Sequence, residues 1–251
     1  MNPVKVYDLG QPLYAGMPHF PTHPPFLLTL NKMHGEFVLD NGASSASETL
    51  TLGGHVGTHI DALAHFSCDG KLHAGAVPEQ SYSGGVKDYS AETIAPILRP
   101  GVLFDVAGPE PLPADFVITP EHLERGGVAP VRGGIVLIRT GWGQFWNDPK
   151  RFITGGSGGQ VTGPGPAIEA ARWLSDHGIF AAGSDTVAFE NVPSKMDVHV
   201  HLLVESGIHI IECLNLEELA RDGVREFTFV ALPLKIRGGT GSPVRPVALV
   251  E

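Results

Sequence analysis

Two cysteines in 251 residues, Cys68 and Cys213, are too few for a disulfide framework or a zinc site built from thiolates. Cys68 stands near the densest group of histidines. Free cysteine is among the most buried residue types, so both are read as small buried thiols rather than nucleophiles. Charge is also scarce: 17 Lys and Arg face 27 Asp and Glu, a formal net charge of −10, and charged residues make up 18% of the chain. A nucleic-acid surface needs clustered cations to match phosphates, and none is present, so the expected partner is a small molecule and not nucleic acid. No apolar run approaches the length of a membrane span, and "MNPVKVYDLG" lacks the apolar core of a signal peptide, so no membrane partner is expected and the expected location is the cytoplasm. The phosphate-binding loop, the dinucleotide fingerprint, Cys-x-x-Cys and His-Glu-x-x-His are all missing, which leaves ATP- or NAD-dependent chemistry unsupported. "GGSGG" at 155–159 matches Gly-x-Ser-x-Gly around Ser157. That elbow needs a strand before it and a helix directly after it, whereas "FITGGSGGQVTGPGP" reads as a flexible loop.

What the chain does have is turns. Its 32 glycines and 21 prolines are spread throughout, which favours short elements over long helices, and no stretch reads as a linker between two apolar halves. One domain spanning 1–251 is expected. Short apolar runs bounded by Gly, Pro or polar residues predict buried strands at 101–106, 134–140, 178–186, 207–213 and 226–234. Helices are predicted in "TPEHLERG", with Thr119 as N-cap and Gly126 as stop, and in "GPGPAIEAARWLSDHG", which ends at Gly178. A third is predicted in "SKMDVHVHLLVESG", where Ser194 and Asp197 have capping-box spacing and Gly207 closes the helix. The expected fold is α/β, a single domain with a curved mixed sheet or barrel-like β core flanked by helices.

Twelve histidines are present, and four ligand-type side chains crowd into "GGHVGTHIDALAHF", residues 53–66: His55, His59, Asp61 and His65. All fall on odd numbers, so an extended chain would turn them to one face. Parity alone is not enough, because ten extended residues span about 33 Å, while metal ligands lie roughly 2.0–2.2 Å from their ion. The chain must therefore bend between His55 and His59, and Gly57 is the residue suited to it. His59 and Asp61, about 7 Å apart along a strand, can converge directly. His65 then sits beside the trio, where a general base or a ligand to a second ion is useful. Two imidazoles and one carboxylate leave coordination positions open, as catalysis requires.

Further along, Glu212 lies in an apolar strand, where a lone carboxylate is costly and needs a cation, a histidine or a proton. His199 and His201 both precede it. Side chains two apart on a helix diverge by about 200°, so only one of them can join Glu212. Trp142, Phe145 and Trp146 form an aromatic group that could cover a planar substrate or simply pack. Asp185, at the end of an apolar run, could line a pocket or begin a turn. Trp142 and Asp185 are taken as substrate-pocket candidates. His19, His23, His34, His73, His122, His177 and His209 are read as ordinary surface or core histidines.

The stretch "HVGTHIDALAH" resembles the His-x-Gly-Thr-His-x-Asp-x-Pro-x-His signature of the "putative cyclase" family of metal-dependent hydrolases, which includes bacterial kynurenine formamidase and isatin hydrolase. Leu63 stands where that signature has Pro. "DLGQPLYAGMPHFPTHPPF", "RTGWG", "GSDT" and "TGSPVRP" are similar to further parts of the family pattern. The resemblance implies the cyclase-family swivelling β/β/α fold. It also implies His55, His59 and Asp61 as metal ligands, His65 as catalytic or as a ligand to a second ion, and His199, chosen over His201 by its place relative to Gly207, with Glu212 as a further ligand pair. Phe20 belongs by the same resemblance to an N-terminal segment that contributes to the substrate pocket.

The expected chemistry is hydrolysis of a carbon–nitrogen bond in a small amide, formamide or cyclic imide. Zinc or manganese, as one or two ions, would activate water, and His65 would move the proton. Length and the "TGSPVRP" ending lean toward the isatin-hydrolase-like side. A homo-oligomer, dimer or tetramer, is implied. The competing expectation is a non-catalytic protein that binds a metal or small anion on the same fold.

Overall fold

In the computed structural model, which describes residues 4–251, the apolar runs become the centre of one curled, nine-stranded mixed sheet of an α/β domain. Four strands at its middle run parallel: β5 (Ile97–Asp105), β6 (Ile135–Arg139), β7 (Ala181–Ser184) and β8 (His209–Glu212). Beyond β8 lie β4 (His59–Asp61) and then β10 (Gly241–Pro243), each antiparallel to the strand before it. Beyond β5 lie β9 (Glu226–Ala231), β11 (Val247–Val250) and β1 (Lys5–Asp8), again each antiparallel to its neighbour. The hairpin β2 (Leu27–Lys32) and β3 (Ser47–Thr51) stands apart and is almost wholly exposed.

Successive residues of a strand point to opposite faces, and here both faces are covered, which is why the central strands read as unbroken apolar runs. Leu103, Leu137, Ala181 and Ile211 face one core, closed by the sheet's own curl through Phe227, Phe229 and Ala248. Val102, Phe104, Val136, Ile138, Ala182 and Ile210 face the other. Over that second core lie α1 (Pro120–Glu124), α3 (Ile168–Asp176) and α4 (Asp197–His199), with α2 (Pro149–Thr154) against the loops and α5 (Glu217–Arg221) on the opposite side. From α4 the chain runs on as a π-helical stretch, Val200–Glu205, which ends before Gly207 at φ 67°.

Three expectations are corrected. Ser194 and Asp197 make no capping box: Met196 is the N-cap without a side-chain bond, and the Ser194 hydroxyl donates to Glu190 Oε2 at 2.6 Å. A charged acceptor makes the stronger hydrogen bond and takes the hydroxyl. Cys68 is exposed, held in a turn by reciprocal backbone bonds with Lys71, whereas Cys213 is buried as expected. The first central strand begins at Ile97 and not at 101, running through Pro100 and Gly101. The glycine there is a packing site, since a Cβ on it would meet the Phe227 ring.

Candidate metal centre

The pleat and register of β4 and β8 build the site. His59 pairs directly with Glu212, and Asp61 lies two residues on, so all three side chains share the helix-covered face of the sheet. The bend before β4 is made at Gly57, φ 71°, where a Cβ would run into Leu13. It turns His55 back toward Asp61, with Nδ1 2.6 Å from Oδ1. Gly241 on β10 leaves room for the His55 ring, which any Cβ at that position would strike. From above, α4 lowers His199 onto the group, with Nε2 3.2 Å from Glu212 Oε1. His201 is directed elsewhere, to Glu205 and Ser175.

The donors fall into two overlapping triads, His55–His59–Asp61 and Asp61–His199–Glu212. In each, one ligand atom per residue lies within 4.8 Å of the others. His59 Nε2 is 3.5 Å from Asp61 Oδ1 and 3.4 Å from Glu212 Oε2. Donor atoms around a tetrahedral zinc ion are about 3.4 Å apart, so these spacings suit a cation better than a hydrogen bond. Two atoms of the group, His59 Nε2 and Asp61 Oδ2, are buried with no hydrogen-bond partner. Leaving such atoms empty-handed costs about 1–3 kcal/mol each, a cost that a bound divalent ion removes. The residues therefore fit a metal.

The other ring nitrogens are tied down, as metal-binding imidazoles require. His59 Nδ1–H donates to Gly57 O at 2.8 Å, and His55 Nε2 lies 2.9 Å from Thr240 Oγ1. His199 Nδ1–H donates to Glu190 Oε1 at 2.6 Å. Burial raises the Asp61 pKa, but the imidazoles of His65, His55 and His59 outweigh it and hold the carboxylate well below its ordinary range. Burial likewise works against ionisation of Glu212, yet the imidazoles of His199 and His59 beside it bring it down to about 2. His199 is pushed up to about 10, its burial overcome by Glu190 and Glu212. In the metal-free protein, protons on imidazole thus balance the buried carboxylates.

His65 follows β4 in a turn closed by its N–H to Ala62 O at 2.9 Å, with Leu63, at the signature's proline position, packed against the core. Its ring stacks on His55 at 3.8 Å between centroids and meets Phe66 edge-on at 5.0 Å. Among the described residues no side-chain hydrogen bond engages it. Burial draws its pKa down to about 4, only partly opposed by Asp61.

The Phe20 ring lies 5.6 Å from that of His23, whose own ring is 5.5 Å from His55 and 6.4 Å from His65. Trp142 is placed away from it: Nε1–H donates to Leu112 O at 2.9 Å, and the ring lines a separate cleft of about 250 Å³ with Pro111, Phe145 and Arg151. Asp185 is enclosed by the turn that follows β6. It is fully buried, and its two oxygens accept from Thr140 N–H and Oγ1–H and from the N–H groups of Gly141 and Gly143. Sequence reasoning missed three residues at the site: His23, Thr240 and Glu190. Glu190 carried the signal that exposed Glu212, a lone carboxylate in an apolar run; Thr240 and His23 carried none, since their contacts with His55 cross 185 and 32 positions.

A family model described as "Putative cyclase" matches residues 7–191. A kynurenine formamidase from Bordetella petrii is 25% identical over 244 residues, 97% of each chain. A crystal structure described as a novel cyclase aligns with a TM-score of 0.86 at 28% identity, covering 97% of this chain and 88% of its own. Isatin hydrolase A from Ralstonia solanacearum aligns with a TM-score of 0.77 at 27% identity, covering 99% and 92%.

Proposed function

We infer the function from one premise: the chain belongs to the "Putative cyclase" family. On that premise it is a metal-dependent hydrolase that cleaves the carbon–nitrogen bond of a small amide, formamide or cyclic imide, not a peptide bond. The observation that carries this reading is the pair of buried, unpartnered atoms, His59 Nε2 and Asp61 Oδ2, set among donors spaced for a divalent cation. Relatives that include a kynurenine formamidase and an isatin hydrolase support the same chemistry. Zinc or manganese suits a set of imidazoles and carboxylates.

His55, His59 and Asp61 would hold one ion, and Asp61 with His199 and Glu212 a second. When bound, such an ion polarises a carbonyl and makes water a nucleophile near neutral pH. The chain's own residues do the rest. His65, its ring stacked on His55 with no side-chain hydrogen bond among the described residues, accepts the proton of the attacking water and returns it to the leaving nitrogen. Phe66 and Phe20 flank that imidazole and its neighbour His23, an apolar frame for a substrate with an aryl ring. A homo-oligomer, dimer or tetramer, in the cytoplasm completes the reading. The exposed leucines of the β2–β3 hairpin, Leu27, Leu28, Leu30 and Leu50, support association.

The test is elemental analysis of the purified protein together with hydrolysis of an N-formyl arylamine and of isatin, for wild type, His65→Ala and Asp61→Asn. Wild type should contain zinc or manganese and turn over at least one substrate. His65→Ala should keep its metal and lose turnover. A metal-loaded wild type that hydrolyses neither substrate would be the non-catalytic binder; loss of all metal in His65→Ala would make His65 a ligand.

A further inference from the structure

We propose that Glu190 is a positioning residue for His199: it holds the ring in the Nδ1–H tautomer and thereby makes the Asp61–His199–Glu212 triad the more strongly binding half of the centre. The inference rests on the metal-centre reading above and goes beyond it, since Glu190 is not part of either triad.

Glu190 is 2% exposed, and both of its oxygens are committed. Oε1 accepts from the His199 ring at 2.6 Å and from the His199 backbone N–H at 3.0 Å, and Oε2 accepts from Ser194 Oγ at 2.6 Å. A carboxylate only accepts, so the ring hydrogen sits on Nδ1. The Nε2 lone pair of the neutral ring then faces Glu212 and Asp61, the direction a cation would occupy.

The three imidazoles of the centre differ in what steadies them. His59 leans on a backbone carbonyl and His55 on a hydroxyl, both uncharged. Of these three, among the described residues, only His199 donates to a carboxylate outside the two triads. An anionic acceptor raises the basicity of the far nitrogen and adds negative charge near the ion, and removing such a partner typically weakens metal binding about 10–100-fold. Ser194 fixes the other oxygen, so the residue that failed to cap the helix serves to aim the carboxylate instead. Glu190 also takes the N–H of the third residue of α4, whose N-cap Met196 has no side-chain bond to offer.

That second contact could make Glu190 merely a helix support, so the test separates the two roles. Glu190→Gln keeps the size and one oxygen acceptor while removing the charge. Zinc is titrated into chelated protein against a competing chelator, and the melting temperature of the metal-free protein is measured alongside. The expected result is a 10–100-fold weaker association for one equivalent of zinc and an unchanged association for the other; metal-free melting falls as well, because a buried carboxylate beside the His199 ring is lost, so the contrast between the two equivalents is what a mere helix support would not produce. Ser194→Ala, which leaves the carboxylate in place but free to turn, should weaken the same equivalent by a smaller factor. Wild-type affinities for both equivalents in Glu190→Gln, or an equal loss in both accompanied by a fall in metal-free melting, would overturn the proposal. If Glu190→Gln does not fold, Ser194→Ala decides on its own. A wild type that takes up no cation would instead sink the metal-centre reading itself.

Discussion

The two halves of the centre are built in different ways. His55, His59 and Asp61 come from seven consecutive residues, bent at one glycine and zipped between β8 and β10. His199, Glu212 and the supporting Glu190 come from a helix, a strand end and a loop that meet only in the folded chain. The first half is local, and neutral groups steady its imidazoles. The second is tertiary, and an anion backs it. A site assembled this way should respond unevenly to damage, with Asp61 as the exception because it serves both halves.

The largest effect is therefore expected from Asp61→Asn. It should remove tight binding of both cations and bring amide hydrolysis to background, read by elemental analysis and turnover. Retention of one full equivalent would mean that the halves do not share Asp61. His65→Ala comes next, with turnover falling about 10²–10⁴-fold, the usual worth of a general base, while cation content stays at the wild-type level. Gly57→Ala sharpens the contrast between halves. A side chain at φ 71° costs about 1–2 kcal/mol, and its Cβ would also press on Leu13, so melting temperature should drop. The His55–His59 half should lose affinity for its cation while the His199 half keeps its own.

The smallest effect is a slope with pH in chelated protein. His199 is ordinarily near 6.5 and is raised to about 10 in the fold. Its stabilising contribution is complete below pH 6.5 and is lost as pH climbs toward 10. Melting temperature of the metal-free protein should fall across that window, and saturating zinc should flatten the slope, because the cation takes over the role of the protons.

The same contrast explains what was legible in the sequence. The strands at the sheet's centre could be read because burial on both faces leaves an unbroken apolar run. The convergence of His55, His59 and Asp61 could be read because the three are neighbours in the chain and the bend needs a glycine. Glu212 was visible as a charge in an apolar strand. The rest depended on partners that are distant in the chain. Asp185 was ambiguous because the N–H groups that neutralise it belong to 140–143, some 45 positions away. Ser194 sat in a helix-start pattern, yet a buried carboxylate four residues earlier claimed its hydroxyl. His199 and His201 could not be separated by local geometry, and what separates them is the approach of β8 on one side and of Ser175 on the other. The β2–β3 hairpin went unread because neither strand buries a face.

The most direct test is to return zinc or manganese stepwise to chelated wild-type protein and follow hydrolysis of an N-formyl arylamine and of isatin at each addition. Turnover of at least one substrate should be absent at the start, rise in proportion to the cation bound, and level off by two equivalents per chain. Turnover that is undiminished by chelation and indifferent to the added cation would contradict the account.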